Sequence, residues 1–495
     1  MRTPRLALAL VLAAAAALRF SGLGHGLPHA VDAEESEIVG RALQMMKAGS
    51  LDPRFFDHGQ LPIYLQLAVS IVRFLAGSMA GEWQSLAQAG TQAFFVWGRA
   101  LVAAFGVATV VLVFNAGMRW GARHALLAAA LMAVMPVHVL YSHLVVPDVL
   151  LTLLVTATLL LALAAGEKRT LAAFALAGAA AGLAASARYT GGLALVMPLL
   201  ACLMSPPAGM ARLAASGVVV AAAGAGFLAG APYSLLDLPA FLERFAQLCG
   251  AARDAAAASG ASALMPLRAL QAQFAWPGAS GPLMATAWPA LVLVGVGIGM
   301  AAVRAVRGPG QVRYAVALAF VVMHLALVLM RRTPDPRFLL PMMPMLALLT
   351  ASAVISGVSL LRRYEFPRLA RTAIVTALTI LILVPGAVSA TRQVLRLTKQ
   401  TTMDLAYSWL LENVRPEELV IVEASVLKVP RGIATRGIGE LRFKTADEFV
   451  AEGARYLIAT STAYGKYISD PRGHRDEYLA YTRLFSEAQE VARFS

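Results

Sequence analysis

The apolar residues of this chain arrive in runs of about 20, the length at which a helix crosses the hydrocarbon core of a bilayer. They recur at 6–23, 93–118, 125–143, 149–165, 171–187, 191–204, 213–231, 283–303, 314–330, 338–361 and 372–390, which predicts about eleven transmembrane helices. Backbone placed in lipid must satisfy its hydrogen bonds internally, so the expected fold class is mainly α and polytopic. With 59% hydrophobic and 14% charged residues and a mean hydropathy of +0.68, the composition agrees.

The formal charge of +14 does not mark a nucleic-acid binder. The basic residues sit in short clusters between apolar runs: Arg2 and Arg5, Arg119 and Arg123, Lys168 and Arg169, Arg212, then Arg304, Arg307 and Arg313, and finally Arg362, Arg363, Arg368 and Arg371. The segment 61–79 decides the topology. It carries Gln66, Ser70 and Arg73 on one side and Leu61, Tyr64, Leu65, Ala68, Ile71, Val72 and Leu75 on the other, an amphipathic pattern that suits a helix lying in the interface. With that segment flat, every basic cluster faces the cytoplasm, as the positive-inside rule requires; a spanning segment would move the later clusters outside. Arg19 and the lack of a small-x-small cleavage site predict a retained first helix. Cys202 and Cys249 then fall at opposite faces, and no disulfide is expected.

This topology puts the 28–92 loop, short turns at 146–148 and 188–190, a long 232–282 loop, the turn RRTPDPR and the C-terminal tail on the outer face. After residue 397 the character changes. MDLAYSWLLENV reads as an amphipathic helix, LVIVEA as a buried strand, and DEFVAEGARYL as a helix running into the strand YLIATS. The expected organisation is a membrane domain over 1–397 and a small α/β domain over 398–495.

The densest acidic group of the N-terminal half follows the first span: Asp32, Glu34, Glu35 and Glu37, then Asp52 and Asp57. Asp32 and Glu35 also fit a capping box, and Asp148, after Pro147 at the start of a span, fits an N-cap. An ionisable group at the lipid boundary is equally a functional candidate. Two carboxylate groups on one face suit a transferase with a lipid-phosphate donor: one accepts the proton of the attacking hydroxyl, the other positions that group or a cation. Arg188, Arg331, Arg332 and Arg337 are the outer-face candidates for the departing phosphate, because a guanidinium matches phosphate oxygens bidentately. His29, His58, His138 and His143 share that face without a diagnostic zinc spacing, so a divalent metal ion stays open as a cofactor and its ligands unknown.

The order of five segments resembles the GT-C superfamily of membrane glycosyltransferases, in particular bacterial relatives of protein O-mannosyltransferases and of the aminoarabinose transferase, the glycosyltransferase family 39 type. The segments are VDAEESEIVGRALQMMKAGSLDP, LPIYLQL, MPVHVLYSHLVVPDVLLTLL, SARYTGGLALVMP and DPRFLLPMMPMLALL. The resemblance implies a polyprenyl-phosphate-sugar donor, a periplasmic active site in the bacterial inner membrane and inversion at the anomeric carbon. Such enzymes usually have Asp-Glu in the first loop; here Asp32, or the pair Glu34 and Glu35, holds the matching place, with Asp32 taken first and Glu35 second. Where many aminoarabinose-type relatives have a lysine, this chain has His58-Gly59-Gln60, which makes His58 a candidate donor-phosphate contact. The acceptor, whether protein, lipid or envelope glycan, stays open. The competing reading is a multi-spanning transporter or lipid flippase; its charges would sit near the middle of spans, whereas here they collect at the outer ends.

Overall fold

The structure, a computed structural model, describes residues 2–29, 32–89, 91–257, 265–274, 287–307, 310–330, 335–423, 427–430 and 432–494. Contacts divide the chain into two units, Met1–Leu23 with Glu37–Arg396, and Gly24–Ser36 with Leu397–Ser495.

The first unit is helical. In chain order it runs α1 (Arg2–Phe20), α2 (Ala33–Ala48, whose first turn belongs to the second unit), α3 (Leu61–Met79), α4 (Thr91–Gly117), α5 (Ala122–Ala133), α6 (Pro136–Tyr141), α7 (Pro147–Lys168), α8 (Leu171–Ala187), α9 (Val196–Met204), α10 (Arg212–Gly230), α11 (Tyr233–Leu236), α12 (Leu238–Ala257), α13 (Met265–Ala272), α14 (Trp288–Arg307), α15 (Gln311–Leu329), α16 (Met343–Arg363) and α17 (Arg368–Leu397). Among the described residues, eight helical stretches are long and apolar enough to cross a membrane: Leu61–Met79, Thr91–Gly117, Pro147–Lys168, Arg212–Gly230, Trp288–Arg307, Gln311–Leu329, Pro336–Arg363 and Arg368–Asn413. The apolar stretches Ala122–Ala133, Leu171–Ala187 and Tyr189–Met204 are shorter. The chain is a multi-pass, mainly α membrane protein.

Proline chemistry explains one place where the helices depart from the sequence expectation. The expected span 125–143 is two helices, α5 and α6, because Pro136 has no N–H to give the carbonyl of Met132. The carbonyls at the end of α5 are taken instead by the buried Arg19 of α1, which donates to Ala133 O at 2.9 Å and Met132 O at 3.1 Å, and lies 3.0 Å from His138 Nδ1. The expected spans at 191–204 and 338–361 open as 3-10 turns, Tyr189–Leu195 and Pro336–Met342, before continuing as α9 and α16. The start of the expected span 283–303 lies outside the described residues.

The segment 61–79, expected to lie flat, is among the eight by length and composition. Its Gln66 and Ser70 are buried, with Gln66 Nε2 donating to Ser70 Oγ and Phe94 O, while Val72, Leu75 and Met79 are exposed. The polar residues thus face the protein and an apolar side faces outward, which suits contact with lipid for a helix that crosses the bilayer and for one that lies along its surface.

α8 and α10 approach closely along a seam of small residues. A Cβ on Gly182 would lie 1.9 Å from Ala223 O, one on Gly178 2.4 Å from Val219 O, and one on Gly226 2.2 Å from Ala179 O. This contact fixes the end of α8, and with it Arg188.

The second unit holds α18 (Thr402–Asn413), α19 (Ala446–Ala451), α20 (Ser461–Ser469) and α21 (Arg475–Glu487) around strands β1 (Leu419–Glu423), β2 (Thr435–Ile438) and β3 (Ala454–Ile458). The strands are parallel in the order β2-β1-β3. Alternation splits β1 between two cores: Val420 and Val422 pack with Leu410 and Val414, and Ile421 with Phe449, Tyr467 and Tyr481. At the end of β1 the fully buried Glu423 accepts from Leu441 N and Thr460 N, both at 2.8 Å, and from the Tyr481 hydroxyl at 2.5 Å, so one carboxylate ties the loops that follow β2 and β3. β2 was not expected from sequence, because its residues Thr435, Arg436 and Gly437 are exposed and carry no apolar alternation.

Replacing Gly182 with leucine forces two backbones apart and is expected to destabilise the purified protein by about 3 kcal/mol. Gly224→Leu on α10, where an added Cβ meets nothing within 4 Å, is the matched control. A thermal melt in detergent checks it: Gly182→Leu lowers the midpoint and Gly224→Leu leaves it near wild type.

Candidate active site

Asp148 and Arg188 are 40 residues apart in sequence and form one ion pair, with Arg188 Nη1 donating to Asp148 Oδ1 at 2.7 Å. Local structure aims both. Pro147 at the first position of α7 follows the extended Val146, which places Asp148 in the first helical turn. Arg188 ends α8 in an extended conformation and precedes the 3-10 turn Tyr189–Leu195, so its side chain leaves the helix axis. Asp148 is buried and the Arg188 side chain is 17% exposed. A charge pair this enclosed is held by geometry, since removing either member strands the other in a poorly solvated site.

Around the pair lies a narrow cleft lined by Asp148, Leu151, Arg188, Thr190, His324 and Phe338, with Leu327, Val328 and Pro341. Phe338 stands between two guanidiniums: Arg188 lies 5.6 Å and Arg337 5.3 Å from its ring centroid. Cation–π contact helps orient both arginines. Asp335 caps the turn Pro336–Met342 by accepting from Arg337 N at 2.9 Å, and the same oxygen accepts from the Tyr141 hydroxyl at 3.3 Å. His324 lies 2.7 Å from Phe338 O through Nε2, which makes that nitrogen the protonated one, since a carbonyl only accepts.

His58 reaches the same neighbourhood from the 53–60 segment. Gly59 lets that segment press on the last turn of α8, where any Cβ would overlap Ser186 O at 1.9 Å. Gln60 Oε1 accepts from Tyr233 N and the Tyr189 hydroxyl donates to Phe56 O, which pins the segment on both sides. His58 Nδ1 is 2.8 Å from Gly59 O, so Nδ1 carries the proton and the lone pair is on Nε2. Burial pushes its pKa down to about 4; the Gly59 carbonyl opposes, Arg188 adds to the fall, and Asp148 and Asp57 oppose. His58 is therefore neutral at pH 7. It contributes no positive charge where the family resemblance led one to expect a lysine.

The first-loop acids divide between the units. Asp32, Glu34 and Glu35 belong to the second unit and Glu37 to the first. Asp32 is a helix cap: its Oδ1 accepts from Glu34 N at 2.8 Å and Glu35 N at 3.1 Å. Glu35 is buried, Glu34 half-buried, and Glu37 pairs with Arg41 on the surface. Arg331 and Arg332 lie outside the described residues. Among the described residues, no group of three or more His, Cys, Asp and Glu gathers as a metal site. Sequence reading missed His324, Phe338, Tyr141 and Asp335; the juxtaposition of Asp335 and Phe338 with Arg337 in DPRF was the available signal.

Lowering the His58 pKa makes the folded state a poorer proton acceptor than the unfolded one. The resulting stability is present above about pH 6.5 and is lost as pH falls toward 4, by about 3 kcal/mol in all. His58→Gln is expected to flatten the fall of the melting midpoint across that window, and melts at pH 7 and pH 4.5 check it.

Residues 92–235 match the family model described as dolichyl-phosphate-mannose-protein mannosyltransferase. Among solved structures, the apo oligosaccharyltransferase of Archaeoglobus fulgidus aligns with 96% of this chain and 72% of its own, with a TM-score of 0.57 and 14% identity. The archaeal oligosaccharyltransferase AglB from the same organism, in complex with an inhibitory peptide and a dolichol-phosphate, aligns with 97% and 72%, with a TM-score of 0.54 and 15% identity. ArnT of Cupriavidus metallidurans bound to undecaprenyl phosphate aligns with 99% and 96%, with a TM-score of 0.47 and 15% identity. No curated protein sequence matches the chain. The chain has the fold of the GT-C superfamily of membrane glycosyltransferases, the superfamily its sequence resembles.

Proposed function

We propose that the protein transfers a sugar from a polyprenyl-phosphate-linked donor to an acceptor on the periplasmic face of the bacterial inner membrane, with inversion at the anomeric carbon. The observation that carries this reading is the Asp148–Arg188 pair at the mouth of a cleft where Arg188 and Arg337 flank Phe338. Two oriented guanidiniums beside an apolar wall of Leu151, Leu327 and Val328 suit an anion that carries a hydrocarbon chain. The mannosyltransferase family description, and the likeness of fold to an oligosaccharyltransferase solved with a dolichol-phosphate, support a polyprenyl phosphate as that anion.

In this mechanism the acceptor hydroxyl oxygen forms the new bond to the anomeric carbon as the bond from that carbon to the phosphate oxygen breaks. The hydroxyl proton passes to Asp32, with Glu35 as the second candidate, and the electron pair leaves on the polyprenyl phosphate. Arg188 and Arg337 neutralise the charge that develops there, and Asp148 holds Arg188 in place. Residues 1–397 then form the transferase domain, with its outer loops at 28–92 and 232–282, and 398–495 form a periplasmic α/β domain.

Transfer from a radiolabelled polyprenyl-phosphate-hexose to cell-envelope acceptors tests the reading. Asp32→Asn is expected to lower kcat by about 100-fold or more with folding retained. Arg188→Lys keeps the charge but loses the fork, and is expected to raise the donor KM by about 10-fold. Equal transfer by wild type, Asp32→Asn, Glu35→Gln and Asp148→Asn would reduce these carboxylates to structural roles and overturn the assignment.

A further inference from the structure

The segment that bears Asp32 is built into the C-terminal unit, and one histidine pins it there. His29, three residues before Asp32, is buried with its side chain fully enclosed. Its Nδ1 accepts from the backbone N–H of Lys428 at 3.2 Å, which requires a lone pair on Nδ1 and leaves the proton of the neutral ring on Nε2. Nε2 faces Asp404 Oδ1 at 3.7 Å, and the Tyr407 ring meets the imidazole edge-on at 5.7 Å between centroids. Asp404 cannot drift, because its other oxygen closes the capping box of α18, accepting from Thr401 N at 2.7 Å and Thr401 Oγ1 at 2.8 Å. On the other side, Asp32 caps the first turn of α2 through Glu34 N and Glu35 N. His29 is thus anchored to α18 and Lys428, and Asp32, which caps the first turn of α2, follows it three residues along the chain.

We propose that His29 is a positioning residue through which the C-terminal domain sets the placement of the Asp32 carboxylate. This rests on the glycosyl-transfer reading given above. The domain would otherwise have no stated part in the reaction. The arrangement gives it one: it holds the segment assigned as the proton acceptor.

The contact is pH-sensitive by construction. A proton on Nδ1 would set two donors, the ring N–H and the Lys428 N–H, against each other. Burial lowers the His29 pKa below its ordinary value; of the charged groups facing the ring, Asp404 opposes that fall and Lys428 adds to it. An undocked histidine, with a pKa of about 6.5, takes up the proton more readily than the docked one, so docking is fully present above that pH and weakens below it.

The test uses the full-length protein with a polyprenyl-phosphate-hexose donor, and follows hydrogen–deuterium exchange of peptides covering 24–36 in parallel. His29→Ala is expected to speed exchange in that segment and to lower kcat by about 100-fold, the cost of a misplaced catalytic group, with the donor KM within about twofold of wild type. His29→Asn, whose Oδ1 keeps the acceptor for Lys428 N–H but does not titrate, is expected to restore most of kcat. Wild type is expected to lose kcat between pH 6.5 and 5.5, and His29→Asn to remove that loss. Unchanged exchange in His29→Ala overturns the pin even if the protein is an active transferase. Faster exchange with unchanged kcat, or a loss expressed in the donor KM alone, overturns the positioning role. A wild type that transfers no sugar from any polyprenyl-phosphate donor removes the glycosyl-transfer reading and this inference with it, whatever the exchange shows.

Discussion

A carboxylate at the end of a lipid-facing bundle is tolerated only if something of opposite charge is held beside it, and the Asp148–Arg188 pair meets that requirement. Much of the local architecture follows from keeping the two together. Pro147 starts α7 so that Asp148 falls in its first turn, and the glycine seam between α8 and α10 fixes the helix end that delivers Arg188. Gly59 lets the 53–60 segment close over the same helix end. Phe338 then shares its ring between Arg188 and Arg337, so a second guanidinium is oriented by the same cluster.

The parts of this site that were legible in the sequence are those where a charged residue stands against an apolar background. Asp148 and Arg188 stood out because each is isolated between hydrophobic runs, though nothing in their spacing showed that they meet. His324 and Phe338 gave no such contrast. A histidine and a phenylalanine inside apolar stretches read as packing, and only tertiary structure turns them toward an arginine. Asp32 was legible in two ways at once, as a cap and as a catalytic candidate; the hydrogen bonds to Glu34 N and Glu35 N establish the cap. A cap and a general base are compatible, because a carboxylate has a second oxygen.

For the fold, periodicity and length gave most of the helices. The break at Pro136 and the 3-10 opening at Pro336–Met342 fall at prolines, whereas the opening at Tyr189–Leu195 contains none. In the C-terminal unit the central strand was visible as an apolar run, whereas β2 was not. An edge strand with Arg436 and Gly437 exposed takes its structure from pairing with β1 rather than from its own residues.

Arg19 bears on how the chain is assembled. Its guanidinium rests on carbonyls at the end of α5, 114 residues downstream of its own position for Ala133. A helix that carries an arginine near its end cannot settle into hydrocarbon at low cost by itself. During synthesis α1 therefore gains its resting place only after α5 has emerged and Pro136 has left those carbonyls open. α1 is made before α5 but is locked only together with it, so insertion of this protein is a matter of waiting for a partner as well as of hydrophobicity.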